Sequence, residues 1–108
     1  MVVPKAGQPW TEGEIDAALE VYLEMLRLEL NGHDFVKSDY RRRLQEQLPV
    51  RSKKSIELKW CNISAILDEM GLPWIKGYVP MPNYQRKLRE IVQRTAIDDW
   101  LRRPRPRG

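Results

Sequence analysis

Cysteine and histidine are nearly missing from this chain: in 108 residues there is one of each, Cys61 and His33. A lone thiol excludes an intramolecular disulfide and fits a reducing, cytoplasmic compartment. One thiol and one imidazole are also too few for a Cys/His zinc site within one chain. Long apolar runs are missing too. None approaches the ~20 residues of a membrane span, and no signal-peptide pattern opens the chain, so a soluble protein without a membrane partner is expected. No phosphate-cradling glycine loop or nucleophile motif is present. The neighbouring acids Asp68-Glu69 and Asp98-Asp99 lie on helical segments, where adjacent side chains point apart, so they make no catalytic pair. His33 sits in a turn beside Gly32 and Asp34, with no partner at a useful spacing. No catalytic residue, metal or cofactor is expected, and the chain is not expected to be an enzyme by itself.

What is present is apolar mass in helical register. With 42% hydrophobic and 31% charged residues, the composition is that of one folded domain. Trp10, Thr11, Glu14 and Ile15 form a capping box inside a hydrophobic staple. From there Ile15, Leu19, Tyr22, Leu26 and Leu30 recur at spacings of four and three and predict one amphipathic helix, which Asn31-Gly32 ends. A second helix is predicted from Ser38, with Tyr40, Leu44 and Leu48 inward and Pro49 stopping it. A third runs from the N-cap Ser52 to Gly71 with Ile56, Trp60, Ile63, Leu67 and Met70 inward. On that wheel Lys54, Leu58, Cys61 and Ala65 fall on the far side, Ser55 and Asn62 on one flank, and Lys59 at the edge of the core stripe, where its ammonium can snorkel out.

Residues 71–82 carry three prolines and two glycines and cannot be one helix. Their Trp74, Ile75, Tyr78 and Val79 predict an ordered loop packed on the core. A last helix is expected from about Asn83 to Leu101, with Leu88, Ile91, Val92, Thr95 and Trp100 inward. The expectation is therefore an all-α fold of four main helices. Residues 1–9 form a lead, 10–101 the helical domain, and 102–108 a basic tail that reads as a stub of linker in a longer protein.

Charge is unevenly placed along the chain. Residues 1–36 hold two basic residues against seven acidic ones, a net of −5, whereas residues 37–108 hold seventeen against eight, a net of +9. Such asymmetry suits a polyanionic partner for the second part, and suits equally a solvated charged face. The second and third helices are joined by Pro49-Val50-Arg51, the layout of a helix-turn-helix unit whose second helix offers its first turns to a DNA groove. Those turns carry Ser52, Lys53, Lys54, Ser55, Lys59 and Asn62. Lysine suits phosphate or guanine, asparagine suits adenine, and an exposed Leu58 suits a thymine methyl. Arg41, Arg42 and Arg43 on the second helix and Arg51 in the turn complete the expected contact set. The bland reading is a plain helix hairpin with Leu58 and Ala65 packed under the 71–82 loop. The rival function is a protein-interaction module with no direct nucleic-acid contact, in which Leu58, Ala65 and the aromatic loop form a partner surface and the acidic first helix docks basic partners.

Two strings carry a family resemblance. Arg51-Ser52 with Ser55-Ile56-Glu57, Lys59 and Asn62-Ile63-Ser64 is followed by Gly71-Leu72-Pro73-Trp74, Gly77-Tyr78, Pro80 and Asn83-Tyr84-Gln85. With the opening Trp10-Thr11 and Tyr22-Leu23, they resemble the helical N-terminal domain of McrA-like, modification-dependent HNH restriction endonucleases and related bacterial defence proteins. The resemblance covers roughly residues 10–90. It implies a module that binds double-stranded DNA, with a nuclease or modified-base reader elsewhere in a longer protein. No HNH segment is present here, so cleavage does not carry over. The Trp-Thr opening and helix spacing are also faintly similar to Myb domains.

Overall fold

The capping box expected at Thr11 is in place in the computed structural model of the chain, which describes residues 8–102, with side chains through Asp98. The Thr11 hydroxyl accepts from the Glu14 N–H at 3.2 Å, and the Glu14 carboxylate accepts from the Thr11 N–H at 2.9 Å. Helix α1 (Glu12–Leu30) follows, then α2 (Lys37–Gln47), α3 (Lys53–Glu69) and α4 (Arg86–Arg102). The fold is all-α, with no strand among the described residues. No described helix is long and apolar enough to cross a membrane. The lead over residues 1–9 lies outside the described residues except for Gln8 and Pro9. The tail lies outside them beyond Arg102, and the Trp100 side chain does as well.

Both long inner helices end on glycine for the same reason. Gly32 and Gly71 have φ of 71° and 73°, left-handed values that glycine adopts without Cβ strain. The residue after each glycine donates back into the last helical turn, His33 to the Leu28 carbonyl and Leu72 to the Leu67 carbonyl, both at 2.9 Å. This is the Schellman arrangement, which satisfies carbonyls that would otherwise be orphaned. Helix α2 opens at Lys37, one residue before the expected Ser38, and its N-cap Val36 supplies no side-chain bond. Helix α4 opens at Arg86, three residues after the expected start. The cause is Asn83, whose φ of 70° is left-handed and cannot continue into a right-handed helix.

Helices α1 and α3 each pack against the three others, while α2 and α4 do not touch. That central position explains why α1 buries more than its predicted stripe. Ala18, Val21, Leu23 and Met25 are buried beside Ile15, Leu19, Tyr22 and Leu26, whereas Leu30 at the helix end is half-buried. Trp60 of α3 is fully buried and its indole N–H donates to the Ala18 carbonyl at 3.0 Å. Burying an aromatic side chain of this size removes roughly 150–250 Å² from water, worth about 4–6 kcal/mol at 25 cal/mol per Å². Leu88, Ile91, Val92 and Ala96 bring α4 onto the same core, with Thr95 half-buried.

The 71–82 loop packs on the helices. Ile75 and Tyr78 are buried, and the Tyr78 ring lies 5.2 Å from that of Trp60. Trp74 is half-buried, its N–H on Asp68 at 3.2 Å. The loop is tied to the first helix through Tyr22, whose hydroxyl meets the Ser64 hydroxyl at 2.6 Å and accepts the Ile75 N–H at 3.0 Å. Burial pushes the Tyr22 phenol up to about 12, so it stays protonated and can serve both partners. Replacing Tyr22 by Phe leaves the buried Ile75 N–H and Ser64 without their partner. The expected cost is about 1–3 kcal/mol, or roughly 4–8 °C of melting temperature per kcal/mol. A thermal melt followed by circular dichroism measures it, and an unchanged midpoint would refute the bridging role.

Candidate nucleic-acid interface

The residues proposed to meet DNA divide into three groups by burial. Lys53 and Lys54, in the first turn of α3, are exposed and have no ion-pair partner among the described residues. They stand at the helix end where free N–H groups and the dipole both favour an anion. Ser52 caps this end: its hydroxyl accepts the Ser55 N–H at 3.1 Å, and the Ser55 hydroxyl donates to the Ser52 carbonyl at 3.0 Å. Both serines are therefore engaged in holding the helix start. Glu57, one turn beyond Lys53, is half-buried and forms no ion pair with it.

The three arginines of α2 are not equivalent. Arg42 is exposed and pairs with Asp39 at 2.5 Å, and Arg43 pairs with Glu24 of α1 while its guanidinium lies over the Tyr40 ring at 4.9 Å. Their charges are partly neutralised before any ligand arrives, although exposed pairs of this kind hold by only ~0–1 kcal/mol and exchange readily for a phosphate. Arg41 is half-buried, and its shielded Nε has no hydrogen-bond partner among the described residues.

Arg51, Lys59 and Asn62 are withdrawn from the surface on which the sequence placed them. Arg51 is 4% exposed and is built into the fold. Its Nε and one terminal nitrogen each donate to the Glu14 carboxylate at 2.8 Å, and its terminal nitrogens also donate to the Gln8 and Pro9 carbonyls at 2.7 and 3.2 Å. The guanidinium lies 5.2 Å from the Trp10 ring centre. Lys59, also buried, places its ammonium 5.0 Å from that ring rather than in water. Burial, then the nearby Arg51 charge, lowers the Lys59 pKa from its ordinary value. Asn62 is buried and donates to the Met81 carbonyl at 2.7 Å, which fastens the 71–82 loop to α3. Ala65, expected on the open face, is buried at 5%, whereas Leu58, one turn before Asn62, stays 46% exposed. Along the predicted open side, then, Lys54 and Leu58 face water, Cys61 is half-buried and Ala65 is covered.

Arg86 and Arg89 on α4, outside the expected set, are exposed as well. Lys87 and Arg94 face α1 instead, 3.9 and 3.7 Å from Glu12. Among the described residues, no group of three or more His, Cys, Asp and Glu side chains is arranged to hold a metal ion. Comparison with protein-family models, with curated proteins and with solved structures finds no match.

The Arg51–Glu14 pair has a pH signature. The hydrogen bond from Arg51 holds the Glu14 carboxyl below the ordinary carboxylate range, against the opposing effect of burial. The folded state therefore binds this proton less readily than the unfolded state. Its stabilising contribution is full above the unfolded carboxylate pKa and drains away as pH falls through the depressed folded value. Arg51→Ala strands a buried carboxylate and is expected to cost about 3–5 kcal/mol at neutral pH. That penalty should shrink on acidification, because a protonated Glu14 no longer needs the cation. Urea unfolding of both chains across this pH range checks the sign; a penalty that grows on acidification would be inconsistent with it.

Proposed function

We propose that this chain binds double-stranded DNA, mainly through phosphates, as the targeting module of a bacterial restriction or defence nuclease whose catalytic or base-reading domain lies elsewhere in a longer polypeptide. In this reading α2, the turn at Pro49-Val50-Arg51 and α3 act as a helix-turn-helix-like unit, and the chain by itself cleaves nothing. The observation that carries the proposal is the pair Lys53 and Lys54: exposed, without an ion-pair partner among the described residues, and set on the anion-favouring end of a helix that the core holds rigidly. The resemblance of the strings from Arg51 to Ser64 and from Gly71 to Gln85 to the N-terminal domain of McrA-like endonucleases supports the same reading. Arg41, Arg42 and Arg43 on the adjoining helix extend the contact, and Arg51 acts by fixing the turn rather than by touching phosphate.

With two to four cations on phosphates, the logarithm of affinity is expected to fall against the logarithm of salt with a slope of about −2 to −4. Lys53→Ala with Lys54→Ala should weaken duplex binding more than removal of residues 102–108 does, although the deletion takes away more charge. The reason is that Lys53 and Lys54 are held in place by the fold, and a positioned contact loses little entropy on binding. Each phosphate contact removed should also flatten the salt slope by about one. A gel-shift series across salt, with both variants and the parent, tests this. If the parent fails to bind duplex at low salt, the proposal falls. If the deletion abolishes binding while the double lysine variant binds like the parent, the helix-turn-helix-like contact falls.

A second reading, an interaction module for another protein, draws on one specific observation: Leu58, Val79 and Met81 are apolar yet 46%, 64% and 47% exposed. A parent chain that ignores duplex DNA but loses a protein partner on Leu58→Ser would establish it instead.

A further inference from the structure

The segment Val79-Pro80-Met81-Pro82 is an apolar point held rigidly against α3. Each proline fixes its own φ and confines the residue before it to extended conformations, so Val79 and Met81 are both restrained. Met81 is fastened at both of its backbone polar groups. Its N–H donates to the Cys61 carbonyl at 3.1 Å and its carbonyl accepts the Asn62 amide at 2.7 Å. Tyr78 beneath is buried against Trp60. With its backbone thus engaged, Met81 still keeps 47% of its surface in water and Val79 keeps 64%. Leu58, one turn before Cys61 and Asn62 on the same side of α3, adds a third exposed apolar side chain beside this anchor.

We infer that this point is a wedge that enters the minor groove of duplex DNA and unstacks a base step, bending the duplex that the lysines hold. The inference rests on the DNA-binding reading and names what the loop does within it. The tip Pro80-Met81-Pro82 has no N–H left to read base edges: Pro80 and Pro82 lack one, and the Met81 N–H is used on Cys61. What it offers is apolar surface, the chemistry by which Leu, Met and Pro side chains part stacked bases. A cation stands on the same face: Lys54 precedes Cys61, whose carbonyl holds Met81, by seven residues, two helical turns or about 10 Å along the axis. Because ordering of the segment is already complete in the free protein, little further conformational entropy is lost on insertion. Recognition through a wedge favours steps that unstack easily, TA and CA/TG, over specific bases.

The test uses the full chain and a short duplex with dyes at its ends and 2-aminopurine beside a central TA step. The parent is expected to bring the ends closer and to raise the 2-aminopurine fluorescence severalfold. Val79→Ser with Met81→Ser should abolish both signals and weaken binding by about tenfold, with the salt slope unchanged because no phosphate contact is lost. Lys53→Ala with Lys54→Ala should do the converse, flattening the slope while saturated complexes remain bent. A circular dichroism melt confirms that each variant folds, and Leu58→Ser gives an independent variant outside the loop. A parent that binds duplex without bending or unstacking overturns the wedge and leaves DNA binding standing. The same holds if the Val79/Met81 variant bends DNA like the parent. No duplex binding by the parent at any salt overturns both.

Discussion

Arg51 and Glu14 set the geometry on which the rest of the molecule depends. Two opposite charges buried together lose solvation worth several kcal/mol each, so such a pair contributes little net stability unless further hydrogen bonds satisfy it. Here four of the five guanidinium N–H groups are used: two on the carboxylate and two on the Gln8 and Pro9 carbonyls, with the flat cation against Trp10. What the arrangement supplies is alignment. It ties the segment before α1, the first turn of α1 and the turn between α2 and α3 at one point. Gln45 adds to this by donating to the Arg51 and Leu48 carbonyls, closing the turn from the α2 side. The start of α3, where Lys53 and Lys54 project, is therefore fixed by a residue buried next to it.

The same accounting changes the meaning of the charge asymmetry. The acidic first helix meets basic residues from the second part of the chain within the fold. Glu14 pairs with Arg51, Glu24 with Arg43, and Glu12 lies near Lys87 and Arg94. Part of the positive excess in residues 37–108 thus balances α1 rather than awaiting a polyanion. The cations left over, Lys53 and Lys54 above all, form a smaller and better-defined set than the composition suggests.

Local signals made most of the architecture readable. The capping box at Thr11, the four-three spacing from Ile15 to Leu26, the Ser52 cap and the two glycine stops each act over a few residues, and each holds. The apolar content of 71–82 was enough to place that loop on the core. The α4 start was misplaced because a left-handed asparagine at 83 leaves no mark distinct from an N-cap asparagine. The placement of the expected contact residues was less readable for a different reason. Arg51 and Asn62 are polar residues on helix edges or turns, the usual look of surface positions, and their partners Glu14 and Met81 lie 37 and 19 residues away. Helical spacing carries no information at that range. A polar side chain next to a turn reads the same whether it faces a phosphate or a buried carboxylate.

Tyr22 offers a consequence of a different kind. The Ile75 amide belongs to a loop rich in proline and glycine, where backbone protons ordinarily trade with water through small local openings. Its acceptor, however, is a phenol 53 residues earlier, itself buried between helices and shared with Ser64. To free that proton the loop must leave Trp60 and the first helix must give up its hydroxyl. Hydrogen exchange at Ile75 is then governed by an opening that spans most of the domain rather than by fraying of the loop. A single amide in the least regular part of the chain thereby becomes a reporter of the cooperativity of the whole.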